Sequence, residues 1–387
     1  MRFTIVSASG VPWGGSEELW WAAACELRSR GHSVAVLKSV IDGHHPRIRE
    51  LRSLGCSVTE LVRPASARTG LAASLLLPAR RIPTRWDSHV GRGQMMFAAA
   101  ILARRRPELV VISQGLNFDG THFGKVCQTL RLDYMLISHM ASELRWPEDD
   151  LRNYYRRVYS GARSCVFISE HNRQLTEEQL GIKLENAVVL RNPYLAGQQG
   201  PLPWPQDEDG AARLACVARL WPPDKGQDLL LRVLAQPRWR ARPLTVRLYG
   251  EGVGRDGLAE LARSLGSTTV SFEGQSPDIE RVWREHHALV LPSRAEGLPL
   301  ALVEAMMCGR PAVVTDVGGS GEVMQDGITG ILASAPTVTA IDSALERFWA
   351  MRDQWRQMGT AAAQHIRGLV PHAPGSVLAD HLLDIAR

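Results

Sequence analysis

Two carboxylates, Glu296 and Glu304, are separated by seven residues in the stretch LPSRAEGLPLALVEAMMCGRPAVVTDVGG (291–319). The apolar run before them predicts a strand ending at Pro292–Ser293, which puts Glu296 and Gly297 in the loop at its carboxyl end. Pro299 suits the first position of a helix from Leu300 to Cys308, and Gly309 suits its end. Glu304 then lies among Leu302, Val303 and Met306, where burying a carboxylate is costly without a partner. The hydroxyl pair of a ligand would supply one. The plainer alternative is an exposed helix position and a loop anion.

A second segment, VARLWPPDKGQDLL (217–230), brings two cations to another strand end. Arg219 closes the strand, and Lys225 stands just before a helix that starts near Gly226. A bidentate guanidinium, a point-charge ammonium and helix-terminal amides together suit a diphosphate. Two solvated surface cations are the alternative. The chain has only four lysines (Lys38, Lys125, Lys183, Lys225) against forty-one arginines, so a lysine here departs from the prevailing usage. In SASGVPWGGSEEL (7–19), Gly14 and Gly15 precede Ser16, a good N-cap, with Glu17 and Glu18 in the first turn. Such a turn lets backbone N–H groups approach a phosphate or carboxylate, or is simply a capped βα turn. It is not G-x-G-x-x-G, so the dinucleotide fingerprint is missing. His139 follows the apolar run YMLIS (134–138). Taken alone, a histidine there is more often a satisfied structural residue than a site residue.

The elements that must position these residues repeat one rhythm of short apolar strand, loop and amphipathic helix. Strands are predicted at 3–8, 34–38, 109–113, 134–138, 165–169 and 188–191, and again at 213–218, 244–250, 269–274, 288–293 and 311–316. A helix is expected from Glu17 to Arg30, stopped by Gly31, and 338–387 reads as mostly helix. Continuous apolar strands alternating with helices imply parallel sheets covered on both faces. The segment 192–210, NPYLAGQQGPLPWPQDEDG, breaks the rhythm with four prolines and three glycines and is the linker candidate. The expectation is α/β, two Rossmann-like domains facing each other across a cleft: 1–195, and 206–359, with a helix of about 360–387 packing back on the first. Ligands of open α/β sheets bind at the carboxyl ends of the strands.

The 387 residues fit two domains, each able to bury a core without staples. Hydrophobic residues at 45% and charged residues at 22% exclude a disordered, collagen-like or coiled-coil chain. A net charge of +5 is too small to imply a nucleic-acid partner. Six scattered cysteines, with no metal-ligand or C-x-x-C spacing, read as buried thiols of a reducing cytoplasm. The apolar start MRFTIVSAS is too short for a signal peptide, and no apolar window reaches membrane-spanning length.

At Glu296 and Glu304 the sequence resembles the retaining glycosyltransferases of family 4, with the GT-B fold. The GGSE turn, the ARL…DKG segment, YGEGVG (249–254), VSFEG (270–274) and RNP (191–193) stand in the family's order. The resemblance implies a nucleotide-sugar donor, most readily a UDP- or GDP-sugar, held mainly by the second domain without a cofactor or divalent metal. It places Arg219 and Lys225 on the donor diphosphate, Glu304 on the ribose hydroxyls and Glu296 on the transferred sugar. The amides of Gly297, Leu298, Pro299 and Leu300 would lie near sugar and phosphates, and Gly14 and Gly15 would close over the diphosphate. His139 would sit near the sugar and the acceptor. The family often has an acid right after that histidine; here Met140 stands there, and Glu143 comes later.

Charge developing on the departing β-phosphate would be stabilised by Arg219, Lys225 and helix amides. No carboxylate is clearly placed as a nucleophile, so same-face attack, with the departing phosphate taking the acceptor proton, is the expected route to retention. The acceptor would be a glycan, lipid or small molecule. Residues 62–106 hold nine arginines (63, 68, 80, 81, 85, 92, 104, 105, 106) against one acid, Asp87. They are either a patch for an anionic acceptor or for weak peripheral contact with the inner face of a membrane, or a solvated surface. The rivals are a non-catalytic nucleotide-sugar-binding protein and a sugar-nucleotide epimerase of the same fold. A phosphorylase would need a pyridoxal lysine, and Lys225 is the only lysine beyond 183.

Overall fold

The computed structural model describes residues 1–61, 92–194, 196, 200–206 and 210–387. The chain divides into two compact units, Met1–Pro193 with His372–Arg387, and Tyr194–Pro371. The unit boundary lies inside the proline-rich segment. Residues from 194 onward, expected to precede the second domain, already belong to it: the Arg310 guanidinium is buried and donates to the carbonyls of Leu202 and Pro203.

The first unit is built on a parallel sheet of β1 (Arg2–Ser7), β2 (Ser33–Lys38), β3 (Ser57–Glu60), β4 (Leu109–Gln114), β5 (Tyr134–Ser138), β6 (Cys165–Phe167) and β7 (Ala187–Val189), in the order β3-β2-β1-β4-β5-β6-β7. Ile5 aligns with Val36 on one side and Val111 on the other, all buried, as in a sheet covered on both faces. The second unit repeats the plan with β8 (Ala212–Val217), β9 (Leu244–Tyr249), β10 (Val270–Gly274), β11 (Ala288–Leu291), β12 (Ala312–Thr315) and β13 (Gly330–Ala333), in the order β10-β9-β8-β11-β12-β13. Both orders reverse direction beside the first strand, at β1/β4 and at β8/β11. That switch point is where open α/β sheets bind ligands.

Every predicted strand is present, and the fold class is as expected. Two strands, β3 and β13, were not anticipated; both lie at sheet edges. The first helix runs Gly15–Ser29, two residues ahead of its expected start, with Gly31 at φ +81° just beyond its end. The single helix expected at about 360–387 is instead parts of two, which divide between the units. Trp355–Leu369 belongs to the second, and Pro374–Ile385 packs on Gly15–Ser29 in the first. A Cβ at Gly375 would stand 2.4 Å from the Ala22 Cβ, so the contact has no room for a side chain.

Five of the six cysteines are buried and Cys25 is half-buried; all are free thiols. Burial pushes the thiols of Cys25, Cys216 and Cys308 up to about 12, which keeps them unreactive at neutral pH. Most of the arginine-rich region, 62–91, lies outside the described residues. Of its remainder, Arg105 reaches the Ser57 hydroxyl and Arg106 the Leu130 carbonyl. Among the described residues no helix is long and apolar enough to cross a membrane.

Candidate active site

In the second unit the site grows from the carboxyl ends of β8 and β11, the two strands at the switch point. After β8 the chain makes the short helix Pro222–Lys225, then Gly226 in the left-handed region at φ +63°, then the helix Gln227–Leu234. A Cβ on Gly226 would lie 1.9 Å from the Pro292 carbonyl oxygen. Only glycine fits there, and the fit clamps the Lys225 turn onto the end of β11. The Asp224 carbonyl seals the same join by accepting from the amides of Arg294 and Ala295 at 2.7 and 3.1 Å. Arg294 then forks onto Asp228 through bonds of 2.7 and 2.9 Å.

The clamp brings Lys225 Nζ to 2.7 Å from Glu296 Oε1, and the Ser293 hydroxyl donates to the same oxygen at 2.7 Å. Glu296 is buried, while the Lys225 side chain keeps 19% of its exposure. Glu304 is buried on the helix Leu300–Met307, whose residues from Leu302 to Met307 are all buried. Burial of that carboxylate, inferred from its apolar neighbours, is what the structure shows. Arg219 is half exposed and lies 3.3 Å from Asp224, and its carbonyl accepts from Gln227 at 2.8 Å. The YGEGVG turn backs this loop: a Cβ on Gly250, at φ +137°, would stand 2.1 Å from the Ala218 carbonyl.

Two local expectations are corrected. Pro299 is the N-cap of its helix, not its first residue, and its carbonyl accepts from the Leu302 and Val303 amides. Having no N–H, it leaves Gly297, Leu298 and Leu300 as the amide donors of that loop. In the first unit the N-cap is Gly14, with extended backbone at φ −162°, and Gly15 begins the helix. Ser16 is inside the first turn, and its hydroxyl donates to Glu17 Oε2 at 2.8 Å.

Glu17 is not a surface carboxylate at a helix start. It is fully buried and accepts from Lys38 Nζ at 2.8 Å and from the Ser7 hydroxyl at 3.1 Å. Sheet register explains the meeting, since Ser7 aligns with Lys38 on one side and Ser113 on the other. Ser113 continues the polar row to His139, with Oγ and Nε2 3.2 Å apart. His139 is buried just past β5. Among the described residues its Nδ1 and the Asn192 Oδ1 have no hydrogen-bond partner. Burial holds the imidazole down to about 4, opposed by the Glu17 charge and by the Asn192 side chain. Glu143 is turned away, to 2.8 Å from His171, and that bond keeps its carboxyl below the ordinary range.

Lys38 and Ser113 were not singled out as site residues by sequence; Glu17 was read only as an acid of the first helical turn, and Asn192 only as part of the RNP segment. Lys38, a rare lysine closing an apolar strand, is as conspicuous as Lys225.

His139 carries a pH consequence. Its pKa is depressed below the ordinary imidazole value near 6.5, so the unfolded chain takes up the proton first as pH falls. The first unit should therefore lose about 1.4 kcal/mol of stability per pH unit between roughly 6.5 and 4, and nothing from this group above 6.5. Urea unfolding of the wild type and His139→Asn across that range reads the difference. Equal slopes would show that His139 is not the titrating group.

The sequence model of the Glycosyl transferase 4-like domain matches residues 14–193, and that of the Glycosyl transferases group 1 domain matches 211–350. The chain belongs to the group 1 glycosyltransferases. Within this family it is 34% identical over 153 residues to the D-inositol 3-phosphate glycosyltransferase of Rhodococcus erythropolis, covering 37% of this chain and 35% of that protein. It is 31% identical over 258 residues to the GDP-mannose-dependent alpha-(1-6)-phosphatidylinositol monomannoside mannosyltransferase of Mycolicibacterium smegmatis, covering 56% and 65%. The chain thus spans about a third of the inositol-phosphate relative. Its architecture matches that of Anabaena HepE, solved in complex with UDP-glucose, at a TM-score of 0.76 over 99% of each chain, with 16% identity. Two Rossmann-like units of this kind are the GT-B architecture expected from the sequence.

Proposed function

We propose that this group 1 glycosyltransferase moves a sugar, with retention at the anomeric carbon, from a nucleotide-sugar donor to a hydroxyl of a glycan, lipid or small-molecule acceptor. The observation that carries the reading is the Lys225–Glu296 pair at the β8/β11 switch point, beside the helix holding buried Glu304. Lys225 and Arg219 supply positive charge for the diphosphate. The amides of Gly297, Leu298 and Leu300 add donors, and Glu304 takes the ribose hydroxyls. Glu296 takes the hydroxyls of the transferred sugar. The first unit offers polar groups of its own, the Gly14–Gly15 turn at a helix start and the neutral imidazole of His139.

The leaving group is a nucleoside diphosphate, and charge builds on its β-phosphate as the glycosidic bond breaks. Lys225, Arg219 and the loop amides stabilise that charge, and their positive charge serves where other enzymes recruit a divalent ion. Glu296 is already engaged by Lys225 and Ser293, which suits it to hold hydroxyls rather than attack the anomeric carbon. The acceptor hydroxyl attacks from the face the phosphate leaves, and the phosphate oxygen takes its proton. UDP- and GDP-sugars are the donors this reading favours. The relatives' names support it, one specifying GDP-mannose dependence, as does the UDP-glucose complex of the structural neighbour.

The test is a thermal-shift screen of UDP, GDP, ADP, CMP and dTDP, with and without EDTA, on the wild type and Glu304→Ala. One nucleotide should stabilise the wild type regardless of EDTA, and the variant should lose most of that shift. No shift with any nucleotide would remove the donor site from this reading. Once turnover is found, the anomeric coupling of the product by NMR decides the stereochemistry, and an inverted product would rule out same-face transfer.

A further inference from the structure

We propose that the Lys225–Glu296 pair makes this site prefer a nucleoside diphosphate bearing a sugar over the bare diphosphate. The inference rests on the reading above, in which Lys225 meets the diphosphate and Glu296 the sugar. Its physical basis is one oxygen. Glu296 Oε1 accepts both the Lys225 ammonium and the Ser293 hydroxyl at 2.7 Å, and the carboxylate is buried. The lysine backbone cannot retreat from this contact. Gly226 is locked against the Pro292 carbonyl, and the Asp224 carbonyl is held by two amides. Any exchange of partners must therefore occur in the side chains.

A phosphate arriving at Lys225 meets an ammonium already committed to a carboxylate. It either shares the ammonium, placing two anions close together, or displaces Glu296, leaving a buried carboxylate whose remaining donor among the described residues is the Ser293 hydroxyl. Both outcomes are unfavourable. A sugar on the β-phosphate changes both terms. Esterification removes one phosphate charge, and the sugar hydroxyls donate to the carboxylate that the lysine releases. The bare diphosphate, which is the product, gets neither benefit. The pair thus opposes product retention while leaving donor binding little affected.

Calorimetric titration of UDP, UDP-glucose, GDP and GDP-mannose against the wild type, E296Q, K225Q and the double variant tests this. E296Q should tighten the bare diphosphate by about tenfold, the size of one charge-assisted bond, and should tighten its sugar ester by less than about threefold or weaken it. In the K225Q background the E296Q effect on the bare diphosphate should vanish. Equal tightening of both ligands, or a gain that persists without Lys225, would mean a general field effect and would overturn the proposal. So would unchanged affinity for the bare diphosphate. Glu296→Asp, which keeps the charge but withdraws it from Lys225, provides the same comparison if E296Q does not fold. Absence of binding by every ligand to the wild type would sink the donor reading itself, a result distinct from failure of the preference.

Discussion

Lys225→Ala should lower kcat/KM by about 10²- to 10³-fold, the usual cost of removing one donor aimed at charge that develops in the transition state. Most of the loss should fall in kcat, because that charge is larger at the transition state than in the bound donor. Lys225→Arg should recover little. The turn that carries Lys225 is held by Gly226 and Asp224, and a planar guanidinium cannot occupy the place of a compact ammonium 2.7 Å from Glu296 and beside Ser293. Steady-state kinetics on the three proteins decides this. A loss of less than about threefold would mean that the leaving group is stabilised elsewhere.

Lys38→Met should destabilise the first unit by about 3–5 kcal/mol, since breaking a buried ion pair strands the remaining charge. Lys38 and Glu17 are both fully buried and 2.8 Å apart, with the Ser7 hydroxyl as the other donor to the shared Glu17 oxygen. Lys38→Met combined with Glu17→Leu should recover most of that loss, because two apolar groups leave no charge uncompensated. Urea unfolding monitored by tryptophan fluorescence reads both numbers. A single variant within about 1 kcal/mol of the wild type would show that water reaches Glu17 and solvates it.

The strands and their parallel arrangement were legible chiefly because β4, β5, β11 and β12 carry buried, mostly apolar runs, the mark of burial on both faces, whereas β9 and β10 show the alternation of apolar and polar residues instead. β3 escaped because an edge strand needs less of the apolar signal: in SVTE no residue is fully buried. β13, GILA, is apolar and mostly buried, and its escape has no such reason. The Glu296–Glu304 loop and the Lys225 turn were legible because Gly226, Pro299 and Gly309 punctuate the backbone at the required points. Ser16 misled because its hydroxyl makes a good N-cap in general, whereas here the helix begins one residue after Gly14 and the serine bonds to Glu17 instead. The Lys38–Glu17–Ser7 cluster and the Ser113–His139 contact depend on sheet register. Residues 7, 38 and 113 become neighbours only once β1 lies between β2 and β4. Short motifs hold no such information, and chemical oddity, such as a rare lysine, is the only local trace it leaves.

The C-terminal helix Pro374–Ile385 belongs to the unit that opens the chain, fitting so closely on Gly15–Ser29 that Gly375 meets Ala22 without a side chain between them. Synthesis from the amino terminus therefore delivers the two units out of order. Residues 194–371, with Lys225, Glu296 and Glu304, leave the ribosome as a whole unit first. The first unit, whose glycine turn begins the helix Gly15–Ser29, waits with one helix face uncovered until residues 372–387 arrive.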